Sequence, residues 1–171
     1  MNPWKYLKRL RFKFTTAEYM RVAYLSPRKV VMVTTRLGDQ DNILPVDWHM
    51  PISFEPKLYA ICLESHNHSA SIIRQTGAFV VNFVGADLEE KILLCGRSSG
   101  RDTDKFTLSG LGKQEARKIN CAVLTEAIGC LECQVTEIRE WGDHSVFVGK
   151  VLRTDLDAEG KVSELYHVTK G

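Results

Sequence analysis

The sequence predicts a mainly β protein, an antiparallel barrel that carries short helical inserts. About six or seven segments rich in β-branched and aromatic residues are separated by turn-forming residues. The stretches between them suit about two or three short helices, and they do not alternate with strands as long helices do in a doubly wound sheet. A chain of 171 residues is long enough for one domain with a substantial core.

The first part of the chain supplies the clearest strands. Residues 30–35 form a continuous apolar run that predicts a buried strand. Residues 43–53 are also extended, but Pro45 and Pro51 exclude an ordinary central strand over the whole segment. We expect this segment to switch between strand and loop, where a ligand can reach backbone groups. Residues 58–63 predict the next strand.

The middle of the chain adds helices. Residues 69–77 predict a short helix, with Ser69 as its N-cap and Gly77 as its stop. A strand follows over 78–84, and apolar residues at helical spacing predict a second helix over 87–95.

The last part of the chain begins with a long loop over 96–112, rich in glycine, serine and charge. A strand within 122–139 turns polar toward its end, and 146–152 is the last firm strand. Residues 155–161 predict a hairpin turn, and 162–168 predict a final strand.

Composition excludes several function classes. Hydrophobic residues make up 44% of the chain and charged residues 26%, as in soluble globular proteins. The formal net charge of +2 predicts no strongly basic surface over the whole protein. No segment is long and apolar enough to span a membrane, and the N-terminus lacks the apolar core of a signal peptide. We expect a single domain over 1–171, with no membrane span and no nucleic-acid partner.

Residues 1–18 form an N-terminal basic arm. Its first thirteen residues carry five basic side chains and no acidic one. Such an arm can touch anionic lipid or nucleic acid. It can also pack its aromatic residues on the domain or on a second subunit, with a solvated basic edge.

The cysteines indicate a reducing compartment. An odd count of five without a signal peptide predicts free thiols and a cytoplasmic protein. Cys130 and Cys133 have the C-x-x-C spacing of zinc and dithiol sites, but no second pair accompanies them. Because the flanking residues predict a strand, the two thiols should point to opposite faces.

A turn near the C-terminus presents a histidine at the mouth of a strand. Gly142 and Asp143 suit the turn, and His144 begins a run of β-branched and aromatic residues. The position suits a functional histidine, although a surface histidine in a hairpin has the same pattern. His66 and His68 offer two more imidazoles, but no third metal ligand lies nearby in the sequence.

Three further segments suit a phosphorylated, planar ligand. Residues 64–69 follow a strand and open a helix, whose N-terminal amides attract anions. The alternative is plain capping by Ser69. Residues 46–51 carry Trp48 on irregular backbone, which can lie along a planar ligand or place the indole in the core. Residues 99–106 carry two cations, which can cover an anion or form a solvated loop.

These segments, in this order, resemble the flavin reductase-like family of FMN-binding split-barrel proteins, which includes flavoredoxin and related ferric reductases. The resemblance covers nearly everything from about Ser26 to the C-terminus. The segments that carry it are 42–56, 65–82, 99–106, 131–135, 142–144 with 147–151, and 165–167.

The resemblance implies a Greek-key split β-barrel that forms a homodimer, with FMN, or FAD, near the subunit interface. The cofactor-binding residues it implies are Val46, Asp47, Trp48, His49, Ser65, His68, Ser69, Asn82, Arg101 and Lys105. The first four would lie beside the isoalloxazine, and the two serines with His68 would hold the phosphate or ribityl chain. Asn82 would frame the site, and Lys105 and Arg101 would approach the phosphate. His144 would place the nicotinamide of NAD(P)H against the flavin, and no metal is implied.

Two positions depart from the family pattern. Asp47 stands where many members carry Ser or Thr, and a carboxylate beside the flavin would lower its potential. Alternatively, Asp47 points away and caps a turn. His68 stands where Arg or Tyr is frequent, which would make phosphate affinity depend on pH.

An FMN-dependent oxidoreductase is therefore the leading hypothesis. Hydride would pass from NAD(P)H to FMN, and electrons would continue to free flavin, a ferric complex or a protein. The alternative is a flavoredoxin-like electron carrier that does not oxidise NAD(P)H itself. A third hypothesis is a binding module without flavin that acts through the basic arm on nucleic acid or lipid.

Overall fold

The computed structural model describes residues 19–20, 23, 28–156 and 166–167. Its strands are β1 Arg28–Lys29, β2 Val31–Leu37, β3 Gln40–Val46, β4 His49–Phe54, β5 Lys57–Glu64, β6 Ala78–Phe83, β7 Lys113–Glu115, β8 Ala122–Leu124, β9 Gly129–Trp141, β10 His144–Leu156 and β11 Tyr166–His167. Its helices are α1 His68–Thr76, α2 Glu89–Arg97 and α3 Lys105–Ser109, with a 3₁₀ turn at Ala86–Leu88. The basic arm of 1–18 and most of the chain after 156 lie outside the described residues.

The main sheet confirms a mainly β, antiparallel fold. Seven strands pair in the order β3-β2-β6-β9-β10-β5-β4, and each pairing is antiparallel. The two edge strands β3 and β4 are consecutive in the chain and are joined by Asp47 and Trp48. The Trp48 carbonyl accepts a hydrogen bond of 2.8 Å from the amide of Cys62 in β5. We call this contact the seam; it continues the β4–β5 ladder, in which His49 pairs with Ile61, by one residue into the link between β3 and β4.

The interior of the barrel is a single apolar core. Alternate residues of β2, β6 and β10 point into it, among them Val33, Phe79 and Phe147, each fully buried. Helix α1 closes the core with Ala70 and Ile73. Burial of each large apolar side chain stabilises the fold by about 1.5–3 kcal/mol. The barrel is therefore a rigid support for the residues at its rim.

A second core lies on the outer face of β2 and β3. Met32 and Ile43 from these strands pack against the helical layer. The predicted apolar face of α2 is confirmed, because Leu88, Ile92 and Cys95 are all buried in this cluster. The layer fixes α3 and the residues just before it against the barrel.

The prolines lie where the sheet tolerates them. Pro45 is in β3 and Pro51 is in β4, the two edge strands, and an edge position does not need every amide proton in the ladder. The predicted interruption between the two strands is confirmed at Asp47 and Trp48.

Two local predictions were wrong. Residues 96–112 are not a continuous loop, because 105–109 form α3. Asp104 accepts from the amides of Phe106 and Thr107, and Gly110 ends the helix with a φ of 63°. The N-cap of α1 is Asn67 and not Ser69, because the Asn67 side chain accepts from the Ser69 amide.

The C-x-x-C pair is split by the sheet, as predicted. Cys133 lies in the barrel interior, whereas Cys130 lies in a cluster on the outer face. All five cysteines are free thiols. Within the described residues, no group of three or more His, Cys, Asp or Glu side chains has the arrangement of a metal site. No helix within that part of the chain is long and apolar enough to cross a membrane.

Candidate functional site

The turn between β9 and β10 carries His144 on a fixed backbone. Gly142 has a φ of 64°, a left-handed conformation that favours glycine. His144 Nδ1 lies 2.7 Å from Asp143 Oδ1, and this hydrogen bond is the main cause that lowers the pKa of Asp143. A carboxylate only accepts hydrogen bonds, so Nδ1 of His144 carries a proton. Nε2 is then the ring nitrogen that remains for another partner.

The seam and the hairpin turn meet at one point. The indole of Trp48 stacks on the imidazole of His144, with centroids 4.7 Å apart and planes at 24°. The Asp143 carbonyl also accepts from the amide of Ser65, at 2.8 Å. Three chain segments that carry predicted site residues therefore meet here, and their role in a common site stays a prediction.

A polar network lies beneath this turn. Ser65 Oγ and Ser145 Oγ are 2.8 Å apart, and Ser145 is fully buried. Arg74, in the last turn of α1, donates to Ser145 Oγ at 2.6 Å and to the Ser65 carbonyl at 3.1 Å. It also donates to Glu140 at 3.1 Å. The network ties α1 to both strands that lead into the turn.

Basic side chains gather at the start of α1. Burial, and then the charges of Arg101 and Lys105, lower the pKa of His68 below its usual value. Arg101 donates to the carbonyl of His66 at 3.1 Å. We call His68, Arg101 and Lys105 the cationic cluster. It joins residues from two distant segments at one helix N-terminus.

Lys105 is the unusual member of the cationic cluster. Its residue is only 6% exposed, and burial lowers the pKa of its ammonium. The ammonium forms no hydrogen bond or ion pair with any residue that the structure describes. Its nitrogen is not one of the fully buried polar atoms left without a partner, so it reaches the surface there and can meet an anionic ligand.

The loop before α3 rests on an asparagine behind this cluster. Asn42 Nδ2 donates to Ser69 Oγ at 2.6 Å, and Asn42 Oδ1 is buried without a partner. A Cβ on Gly100 would collide with this Oδ1. The glycine therefore lets the loop approach closely enough for Arg101 and Lys105 to reach His68.

These residues fit a phosphorylated cofactor such as FMN. A phosphate accepts hydrogen bonds through several oxygens, and the site offers an ammonium, a guanidinium, an imidazole and the N-terminal end of α1. The stacked Trp48 and His144 add flat surfaces suited to a planar ring. The donor set is thus consistent with the FMN that the sequence resemblance implies.

Four predicted site residues have side chains that are buried in the core or hydrogen-bonded within the fold. Val46 is buried in the barrel core, and Ser69 is fully buried against Asn42. His49 binds the Tyr59 hydroxyl through Nδ1, at 2.7 Å, and the Lys29 carbonyl through Nε2, at 2.9 Å. A flavin contact by these side chains stays a prediction.

Asn82 is the fourth of these residues and has no exposed surface. Its Nδ2 donates to the Met32 carbonyl at 3.0 Å and to Thr34 Oγ1 at 3.2 Å. Its Oδ1 accepts from the amide of Leu124 at 3.0 Å. The side-chain amide is fully engaged in hydrogen bonds that join β6 to β2 and β8. Asn82 therefore supports the strands near the site, and a contact with flavin by its side chain stays a prediction. Asp47 is half-buried and lies between the end of β3 and Trp48.

Sequence reasoning missed Arg74, Ser145 and Asn42. Ser145 lies two residues before Phe147 and so shares the inner face of β10 with it. A serine on such an apolar face indicates a buried polar contact. Arg74 gives no such signal, because a basic residue near a helix C-terminus is common for its favourable dipole interaction alone.

A separate open groove of about 490 Å³ lies at the other end of the β9–β10 hairpin. Phe83, Leu131 and Leu156 are among its lining residues. It is mainly apolar and includes no member of the cationic cluster, and Lys29 and Thr154 are the polar donors in its lining.

Comparison with known proteins agrees with this geometry. The family described as "Flavin reductase like domain" matches residues 23–171. An uncharacterized protein of Archaeoglobus fulgidus is 30% identical over 141 residues, which cover 81% of this chain and 79% of that protein. The NADH-dependent FMN reductase AsuE2 of Streptomyces nodosus subsp. asukaensis is 28% identical over 150 residues, covering 88% and 80%.

A solved structure shares the fold. It is the NADH:FAD oxidoreductase SgcE6 of Streptomyces globisporus, in complex with NAD and FAD fragments. The TM-score is 0.79 at 20% identity, over 89% of this chain and 87% of that one. The match over residues 23–171 and the split-barrel architecture lead to one conclusion: this chain belongs to the flavin reductase-like family.

Proposed function

We propose that the chain is an FMN-dependent oxidoreductase of the flavin reductase type, which passes electrons from NAD(P)H through bound FMN to free flavin, ferric iron or a protein acceptor. The observation that carries the proposal is the cationic cluster at the start of α1, in which Lys105, a residue only 6% exposed, has an ammonium with no hydrogen bond or ion pair among the described residues. The NADH-dependent FMN reductase among the relatives supports the cofactor and the electron donor.

The residues divide the work between binding and orientation. Bound FMN supplies the hydride-accepting ring. Lys105, Arg101 and His68 would hold its phosphate. Trp48 would lie beside the ring. His144, oriented by Asp143, would position the nicotinamide.

Absorbance spectroscopy tests this function directly. The purified protein, reconstituted with FMN and freed of excess by gel filtration, should show a flavin spectrum, and anaerobic NADH or NADPH should bleach it. Reconstitution is repeated with FAD to compare the two cofactors. A protein that retains neither flavin would contradict the proposal.

An electron carrier is the second candidate. The observation that favours it is that Trp48 already covers one face of the His144 ring. With that face covered, a partner protein and not NAD(P)H would reduce the flavin. Bleaching by dithionite but by neither nicotinamide cofactor would select this candidate.

We also infer a homodimer. Edge strand β4 exposes Met50, Ile52 and Phe54, the last at 92%. Monomeric proteins rarely leave such apolar strips uncovered, and a second copy of the chain would cover this one. Sedimentation should show a dimer that Phe54→Ser weakens. A monomer at all concentrations would contradict the inference.

The free thiols support a cytoplasmic location. Each of the five cysteines is unpaired, and unpaired cysteines are typical of reducing compartments. Fractionation of cells that make the protein tests this placement.

A further inference from the structure

The network of Arg74, Ser145 and Ser65 has a fixed direction. Arginine has no acceptor atom and stays charged, so Ser145 Oγ must accept the 2.6 Å hydrogen bond from Arg74. This leaves the Ser145 hydroxyl proton in need of an acceptor, and the serine is fully buried.

Only one acceptor is available to that proton among the described residues. Ser65 Oγ lies 2.8 Å away, and Ser145 Oγ has no other partner there besides Arg74. If Ser65 donated instead, the buried Ser145 hydroxyl proton would remain without an acceptor, which is unfavourable. The hydrogen bonds therefore run from Arg74 to Ser145 and from Ser145 to Ser65.

The free end of this chain is the hydroxyl proton of Ser65. Ser65 is half-buried and lies in the turn that leads from β5 into α1, which begins at His68 of the cationic cluster. Because its oxygen already accepts from Ser145, its own proton is left to donate to a group outside the fold. Arg74 also holds the Ser65 carbonyl at 3.1 Å, which fixes the backbone that carries this hydroxyl.

We propose that Arg74 and Ser145 are positioning residues that make Ser65 a dedicated hydrogen-bond donor to an acceptor oxygen of the bound flavin. The inference rests on the proposed function, since it needs a flavin at the start of α1. It assigns a task to two side chains that do not themselves touch the ligand. A charged donor at the head of the chain polarises both hydroxyls and strengthens the last hydrogen bond.

A double-mutant cycle on flavin affinity tests the inference. FMN dissociation constants are measured by fluorescence titration for Ser65→Ala, Ser145→Ala and the double variant. Each single variant should weaken FMN binding about five- to tenfold, as expected for one lost hydrogen bond to a ligand. In the Ser65→Ala background, Ser145→Ala should have no further effect. Additive losses would overturn the inference, and so would an unchanged affinity in Ser145→Ala.

A second experiment tests the same inference without replacing the buried Ser145. Arg74→Met should lower FMN affinity in the wild-type background and leave it unchanged in the Ser65→Ala background. Ser71→Ala is the matched control, because Ser71 lies on α1 and its hydroxyl bonds only the His68 carbonyl, at 2.7 Å. Equal losses from Arg74→Met in both backgrounds would mean a general effect on the fold and would overturn the inference. If the wild-type protein binds no FMN, the proposed function fails; if it binds FMN and the cycle is additive, only the positioning role fails.

Discussion

The Trp48 indole lies flat against the His144 imidazole, with ring centroids 4.7 Å apart. Trp48 lies in the link between β3 and β4, and His144 begins β10. The stack therefore joins the β3–β4 link to the hairpin turn that carries the proposed nicotinamide-positioning group.

Replacing His144 should slow hydride transfer and spare flavin binding. We expect His144→Ala to reduce NAD(P)H oxidation about 10- to 100-fold at saturating FMN, since misplacement of the nicotinamide costs rate. The FMN dissociation constant should stay within about twofold, because the phosphate donors are elsewhere. Steady-state kinetics and fluorescence titration measure the two effects. His66→Ala is the control, an exposed histidine near the same site; an unchanged rate in His144→Ala removes this residue from the mechanism.

Replacing Lys105 should weaken flavin binding without harming the fold. Lys105→Met removes the ammonium from the cationic cluster, and we expect FMN affinity to fall about 10- to 100-fold, as for the loss of a charged hydrogen bond. The melting temperature of the flavin-free protein should stay level, because the ammonium has no hydrogen bond or ion pair to lose among the described residues. Lys150→Met, at an exposed lysine of β10, is the control. A lower melting temperature with unchanged affinity would make Lys105 structural.

FMN affinity should depend on the protonation of His68. Burial and the neighbouring cations lower its pKa, so the ring is neutral at pH 7 and gains its proton only below about pH 6.5. Protonation adds a positive charge beside the phosphate, so affinity should rise as pH falls through this range. The phosphate titrates in the same range, but it does so equally in His68→Asn. The ratio of wild-type to variant affinity, measured from pH 8 to 5, isolates the histidine; a constant ratio would exclude it.

Gly100 and Asn42 should show reciprocal rescue. Gly100→Ala places a Cβ against Asn42 Oδ1. The contact displaces the loop before α3, and with it Arg101 and Lys105. We expect FMN affinity to fall about tenfold, comparable to one misplaced charged contact. Adding Asn42→Ala makes room for the new methyl and should restore part of the affinity. A double variant weaker than both single variants would show that the two residues do not meet in this way.

The half-buried His49 should make the free energy of unfolding decrease in mild acid. Burial lowers its pKa in the folded protein, and its ring accepts from Tyr59 while donating to the Lys29 carbonyl. The unfolded chain therefore binds the proton first, so the free energy of unfolding decreases as pH drops below about 6.5. The effect is bounded at about 1.4 kcal/mol for each unit by which the pKa is lowered. Denaturant titrations at pH 7 and 5 should show a smaller difference in His49→Gln; an equal difference would assign the effect to other groups.

The strands and helix faces could be predicted because they follow from local patterns. The apolar spacing of Leu88, Ile92 and Cys95 is visible in the sequence, and so is the glycine stop at Gly77. Alternation along a strand was enough to separate Cys130 from Cys133. Each of these features depends on a few neighbouring residues.

The remaining features depend on contacts between distant segments. Asn67 and Ser69 are both good capping residues, and Ser69 loses the cap because Asn42 engages its hydroxyl. Asn82 ends a strand near the site, but hydrogen bonds to β2 and β8 consume its amide. Single-sequence patterns do not report such long-range partners.

The seam makes one amide proton a reporter for the whole site. The Cys62 amide donates to the Trp48 carbonyl, so hydrogen exchange at Cys62 requires the strand that carries Trp48 to separate from β5. Such an opening also removes the indole from His144. The factor by which added flavin slows exchange at this position would give the free energy by which the cofactor stabilises the closed strand pairing.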